Sequence, residues 1–485
     1  MRLSWRGAQP KCLRRMAVLP VAALLLWAGR VFAWDAATTH AGLTERALEA
    51  SKFHAVLAHQ MGLALGAFEP LKIDRAAIDA DTLRGLKSRL DLLDSAGGYR
   101  PSAEGVATAI AWVKAGAVLA KTPPERGRNH FLEPRTRTGL DDSPGLSGFA
   151  HAARLTLGEG ASLRDAATGT AFDLEGSPAT AWLWADQNDL GLSAFVDNWE
   201  LSVAAKEPGR RENALVRALL ALGGIMSALE DMGQPAFVRN DFRGEFSDQG
   251  SALEIFVADR YGAVALPRSA TPIPRPDLRS FFVADDGKGL AQLTQQRFFS
   301  AGTLPKDFTC VPGDGDLEAA GLVNQTLGFA EPKFDVLELR QSDRPHYLVR
   351  DGVKIAAYRR VGNKIHFFLD KAVYADLART WLPEVMAYAA GLVDDLLGGK
   401  LQLGLASDHV TIALSAVRGE PGGPVEARVF AEDEAGMRRQ VATVGLNGGE
   451  PVVIALPKGA RRIAAVARGR DSAGGFIATG ELSLP

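Results

Sequence analysis

Cysteine is almost missing: the 485 residues hold two, Cys12 and Cys310. Cys12 lies in a segment expected to be removed, which leaves one thiol and excludes an intrachain disulfide. Cys310 sits in a loop of Pro, Gly and Asp without an evident His partner, so a thiol enzyme is disfavoured. A chain this long is stable on core burial alone, so the lack of disulfides does not argue against export. An excess of one charge is also missing. Lys and Arg number 55 against 57 Asp and Glu, a formal charge of −2, and this gives no electrostatic case for a nucleic-acid partner. No G-x-S-x-G elbow, Walker loop, H-E-x-x-H or G-x-G-x-x-G occurs in the right context, and there is no internal repeat.

Apolar residues make up 47% of the chain, enough for a substantial core. The length suits two to four ordinary domains or one large helical domain. Arg2, Arg6, Lys11, Arg14 and Arg15 form a basic start, residues 16–29 (MAVLPVAALLLWAG) an apolar run, and Val31-Phe32-Ala33 a small-residue cleavage site. Residues 1–33 are thus expected to be a signal peptide, which makes the protein periplasmic or secreted and Trp34 its mature N-terminus. The competing reading is an uncleaved anchor. No later segment reads as a membrane span.

From residue 34 to about 400 the hydrophobic spacing predicts helices over 38–53, 107–121, 212–232, 251–261 and 374–397. Thr38 or Thr39 is a candidate N-cap, and Pro383 should kink or break the last helix. The long Pro-, Gly- and Asp-rich connections 134–148 and 262–298 are expected to line a functional face. After Lys400 the pattern changes. Segments 410–417, 425–431, 440–445, 451–456 and 462–468 alternate apolar and polar residues between turn signals, and residues 401–485 read as an antiparallel β-sandwich without catalytic features. The expected fold is therefore mainly α with a C-terminal β-sandwich.

The centre of the chain is residues 222–241, an apolar helix that stops at Gly233-Gln234-Pro235 with Asp231 in its last turn. A carboxylate at a helix C-terminus opposes the dipole, and in an apolar surround it needs a cation. That cation is a metal, or a side chain such as Arg239 or Arg243.

Four blocks together resemble the zinc-dependent phospholipase C / S1–P1 nuclease superfamily, an all-α fold that hydrolyses phosphodiesters at a tri-zinc cluster. They are the leader junction with WDAATTH, AGAVLAKTPPERGRNHFLEP (115–134), SALEDMGQPAFVRND (227–241) and GSALEIFV (250–257). The resemblance implies metal ligands at Trp34 (through its freed amine and carbonyl), His40, His130, Asp231 and Glu254. Lys121, Ser227, Phe237 and Gly250 stand where four further ligands belong. Residues four apart on a helix share a face, which is why ligand pairs take that spacing. Zinc needs four such ligands, or three and a water. The resemblance therefore implies one Zn2+ at most, held by Trp34, His40 and Asp231.

The alternative is a metal-free remnant in which the Lys121 ammonium serves Asp231 and Glu254. In the first case the protein is an exported phospholipase C-like hydrolase of phosphate esters or phospholipids, with Asp231 and Glu254 catalytic and Glu254 the base. In the second it is a non-catalytic envelope or extracellular binding protein. Apart from the metal, no cofactor-binding residue is implied. Glu254 could also pair simply with Arg260, and Asn129, Gln234 and Asn240 read as turn and cap residues. The remaining histidines show no ligand spacing, with His54 and His59 expected on a helix surface.

Overall fold

One helix organises the packing, α6 at Pro208–Asp231. The computed structural model describes residues 36–73, 105–121, 124–140, 176–241, 252–264, 266–267, 270–309, 335–336, 345–416, 423, 425–447, 450–471 and 474–485. Trp34, the leader, Cys310, Arg243 and Gly250 lie outside the described residues. Pro208 starts α6 at a position where its missing N–H costs nothing. From Leu219 to Asp231 every side chain of α6 is buried. By length and composition α6 would cross a membrane, against the expectation that no later segment does so. Yet 83% of its most apolar stretch is covered by the rest of the fold, which makes it a core helix here.

Around α6 lie α1 (Ala41–Ala50), α2 (Phe53–Gln60), α3 (Ala109–Leu119), α4 (Ala179–Leu183) and α5 (Leu192–Ala204), then α7 (Ala252–Arg260), α8 (Leu290–Arg297) and α9 (Lys371–Leu396). The helix expected over 38–53 starts as a π-helical turn, Ala36–His40, and stops at Ala50; after Ser51 and Lys52 a second helix, α2, begins at Phe53. Neither candidate threonine caps α1, because the chain is already helical through Thr38 and Thr39. Helix α3 begins later than its apolar pattern. Strand β2 (Val106–Thr108) pairs antiparallel with β1 (Pro70–Lys72), and Thr108 then caps α3 by accepting from Ala111 N. Pro383 does not interrupt α9, which runs unbroken from its cap at Asp370. His54 and His59 are exposed on α2, as expected.

α3 and α6 cross at backbone contact. A Cβ on Gly116 would lie 2.0 Å from Leu220 O, and one on Gly223 1.9 Å from Val113 O. Only glycine allows this approach, and it brings the end of α3 against the end of α6.

The chain is less helical than its periodicity suggests. Among the described residues there are nine α-helices, and 43% of those residues are helical once the short 3-10 and π turns are included; two larger sheets correct the mainly-α expectation. The first is antiparallel, in the order β3-β7-β6-β5-β4, from Phe308–Thr309 (β3), Asp335–Val336 (β4), His346–Arg350 (β5), Val353–Val361 (β6) and Lys364–Phe368 (β7). Its hairpins turn at Asp351-Gly352 and at Gly362, where positive φ is met by residues that tolerate it. The Asp-Gly and Gly-Asn pairs that make these turns are visible in the sequence.

The second sheet comprises β8 (Gly399–Ala406), β9 (His409–Ala416), β10 (Val425–Glu432), β11 (Arg438–Leu446), β12 (Val452–Ala455), β13 (Arg462–Asp471) and β14 (Gly474–Ser483). Its order is β11-β10-β13-β14-β8-β9-β12, antiparallel except for β14 with β8. It is one curled, nearly closed sheet instead of two packed ones. Val429, Ala431, Ile463, Ala465 and Ala467 fill its interior, while Phe430, Ala464, Val466 and Ile477 pack outward onto the helical core. Residues 429–431 of β10 and 463–467 of β13 are therefore covered on both faces, which explains their continuous apolar runs.

Candidate functional site: a buried charge cluster

Five elements meet beneath the end of α6. α6 brings Glu230 and Asp231, the π-helical turn ends in His40, and Lys121 follows α3. The 3-10 turn Pro124–His130 ends in His130, and Phe237 starts another, Phe237–Arg239. Glu230, Asp231, His40, Lys121 and His130 are all fully buried.

Asp231 is the hub. His40 Nε2 lies 3.0 Å from its Oδ1 and His130 Nδ1 2.5 Å from its Oδ2. Lys121 Nζ forms an ion pair with the same Oδ2. The other His40 nitrogen, Nδ1, lies 2.6 Å from Glu230 Oε2, while Thr44 donates to Glu230 Oε1 at 2.9 Å. One imidazole thus bridges two consecutive carboxylates. The Lys121 ammonium also stands 4.7 Å above the Phe237 ring, whose negative face favours a cation. Two acids against Lys121 and a protonated His40 make the cluster neutral.

Burial would raise the Asp231 carboxyl, but Lys121 and then His40 outweigh it and hold the group well below the usual carboxylate range. Burial alone would also lower His40, yet the Asp231 charge and the hydrogen bonds to Asp231 and Glu230 push it up to about 9. Glu230 is raised, with burial first and His40 opposing. Both shifts describe one proton held between His40 and Glu230 more tightly than either would hold it alone. His130 goes the other way, down to about 4, from burial and then the Lys121 charge. It is therefore neutral at pH 7, with Nδ1 donating to Asp231. Its Nε2 has no hydrogen-bond partner among the described residues, and neither has the Ser227 hydroxyl.

Of the residues singled out in the sequence, the structure brings together His40, His130, Asp231 and Lys121. Glu254 is also buried and accepts from Gln234 Nε2 at 2.9 Å, while Arg260 lies over the Phe256 ring, 4.5 Å from its centroid. Gln234 is thus more than a turn residue, because it links the end of α6 to α7. Arg239 is not the cation of Asp231; it donates to Phe298 O and Gln295 O. Asn129 and Asn240 are scaffold. Asn129 accepts from Ser177 N, and Asn240 sits in left-handed backbone and donates to Gly139 O. Glu230 escaped the sequence reading. Its neighbour Asp231 points about 100° away around the helix, and only a ring placed between them reaches both. The signal was an acidic pair at the end of an otherwise apolar helix.

The residues present do not fit the single zinc site that the resemblance implies, and still less the family's tri-zinc centre. An ammonium occupies one ligand position and contacts Asp231, an aromatic ring occupies another, and both nitrogens of His40 are committed to carboxylates. Among the described residues no group of three or more His, Cys, Asp or Glu is arranged to hold a metal ion.

Comparison with known protein families finds no model that matches the chain, and comparison with curated sequences finds no match. Two solved structures align over most of it. Alpha toxin from Clostridium absonum has a TM-score of 0.26 and 10% identity, over 93% of this chain and 95% of the toxin. The alpha-toxin of Clostridium perfringens from an avian strain has 0.24 and 9%, over 94% and 100%. Likenesses of this size decide neither fold nor function.

Proposed function

We propose that this protein is an exported, non-catalytic binding protein of the periplasm or cell exterior, in which a buried ion-pair cluster replaces a metal centre. The observation that carries the reading is the Lys121 ammonium, fully buried, paired with Asp231 and seated over Phe237. A divalent cation beside it would be repelled, and Asp231 already meets a donor on each oxygen. Export rests on the leader pattern of residues 1–33. In this reading Asp231, Glu230 and Glu254 hold helix ends together and neither activate water nor bind phosphate. The phosphate-ester hydrolase with one zinc is the reading it displaces.

The experiment is metal analysis of the mature protein purified without chelator, followed by hydrolysis of bis(p-nitrophenyl) phosphate with and without added zinc. Zinc far below one per chain and no zinc-dependent turnover are expected. Stoichiometric zinc together with turnover would restore the hydrolase. The Lys121→Asp variant sharpens the result: it exchanges the cation for a carboxylate beside His40, His130 and Asp231. Zinc is expected to raise its melting temperature while leaving the wild type unchanged.

A further inference from the structure

A groove of about 710 Å3 lies between the helical part and the curled sheet. Its walls come from the start of α5, the segment before the 3-10 turn Arg279–Phe281, the end of α9 and the β13–β14 hairpin. This volume is in the range of small-molecule sites. Leu192, Phe195, Phe476 and Ile477 make one wall apolar.

The polar side is uneven. Arg468 also lines the groove, but its charge is met by Asp197 at 2.8 Å and by Glu200. Asp277 accepts from Ser280 N at 3.0 Å within its own turn, and Asp395 lies near the end of α9. Arg279 and Arg470 differ. Both are exposed, and neither has a carboxylate within salt-bridge distance among the described residues. The Arg279 guanidinium carbon lies over the Trp184 ring, 4.4 Å from its centroid, and both residues line the groove. A guanidinium stacked on an aromatic face is weakly hydrated and keeps its N–H donors for a planar oxyanion. An apolar wall beside one such arginine, with exposed Arg470 as a second cation, suits a ligand with both characters.

We propose that this groove binds an amphipathic oxyanion, a carboxylate or phosphate monoester carried on an apolar chain or ring. The inference goes beyond the reading of the buried cluster and does not depend on it.

The test is calorimetric titration of the mature full chain with four ten-carbon probes below their micellar concentrations. The probes are decyl phosphate, decanoate, decyl maltoside and decyltrimethylammonium. At least one anion is expected to bind one to one, about tenfold or more tighter than the neutral and cationic probes. The stronger of the two anions identifies the head group. The double variant Arg279→Ala/Arg470→Ala is expected to lose that advantage with its melting temperature unchanged. Arg461→Ala, which alters an exposed arginine paired with Glu434, is expected to bind as wild type. Equal binding of neutral and anionic probes, full affinity in the double variant, or no saturable binding of either anion would overturn the proposal.

Discussion

Two charge clusters in this molecule, one fully buried and one half-buried, are built from the same inventory, two carboxylates and their cations, and they behave as different materials. The first surrounds Glu230 and Asp231. The second joins the helical part to the curled sheet. There Glu432 meets Arg211 at 3.1 Å and Arg438 at 2.7 Å, while Glu481 meets Arg438 at 3.1 Å and Arg462 at 2.8 Å. Arg438 also donates to Val203 O, and its backbone N–H to Lys206 O, so one side chain ties α5 to β11.

In the second cluster every cation is an arginine, charged at any ordinary pH and able to meet two acceptors in its plane. In the first, the cations are one lysine and one imidazole, in complete burial. The comparison teaches that the first cluster's charge balance depends on protons, whereas the second depends on geometry. Both resist removal of a partner more than their net stabilisation suggests, because a buried charge left alone costs several kcal/mol.

The largest effect is expected from Lys121→Met, which leaves Asp231 with His40 and His130 but no permanent cation. Urea unfolding should show a loss of roughly 3–5 kcal/mol. A loss below about 1 kcal/mol, the scale of exposed pairs, would show that the first cluster is not a tightly coupled unit.

Next comes pH. His40 is raised from 6.5 to about 9, so its contribution is complete below pH 6.5 and is lost as pH rises toward 9. His130 is lowered from 6.5 to about 4, so the unfolded chain takes up a proton first and stability falls as pH drops from 6.5 toward 4. Each limb amounts to roughly 3 kcal/mol. Asp231, held below its ordinary value, contributes above that value and extends the acid limb further down. Stability should therefore peak near pH 6.5. His40→Gln should flatten the alkaline limb and His130→Phe the acid one, as read by denaturation at several pH values. A curve flat from pH 5 to 9 would remove the distinction between the clusters.

Smaller is Arg438→Lys, which keeps the charge but loses the planar fork; about 1–2 kcal/mol is expected, without a change in the shape of the pH curve. Smallest is Arg461→Ala, an exposed pair with Glu434, at less than about 1 kcal/mol and vanishing in high salt.

Much of the first cluster was legible before any fold was known. His40, His130, Asp231 and Lys121 were all named from motif positions, and Asp231 was expected to need a cation because a helix C-terminus disfavours an acid. Glu230 was not, because helix spacing separates it from its neighbour and no local rule places His40 between the two. The arginine cluster was invisible: its members, from Arg211 to Glu481, are spread over 271 positions and none stands in a pattern. Residues 262–298 were expected to line a functional face, and Asp277 and Arg279 from that stretch line the groove beside Trp184. The hairpins of β5, β6 and β7 carry their signal in the Asp-Gly and Gly-Asn turns between short strands.

The amino-acid order alone determined the helices α3, α6, α7 and α9 within a few residues, since their apolar periodicity and stop signals act over a single turn or two. It also determined that the last eighty-odd residues are β. Only the tertiary structure decided which cation meets Asp231, because Lys121 and Asp231 are 110 positions apart and meet where α3 and α6 cross at their glycines. It likewise decided that the C-terminal strands close on themselves. Alternation states that a strand has two faces, and only packing states what covers each.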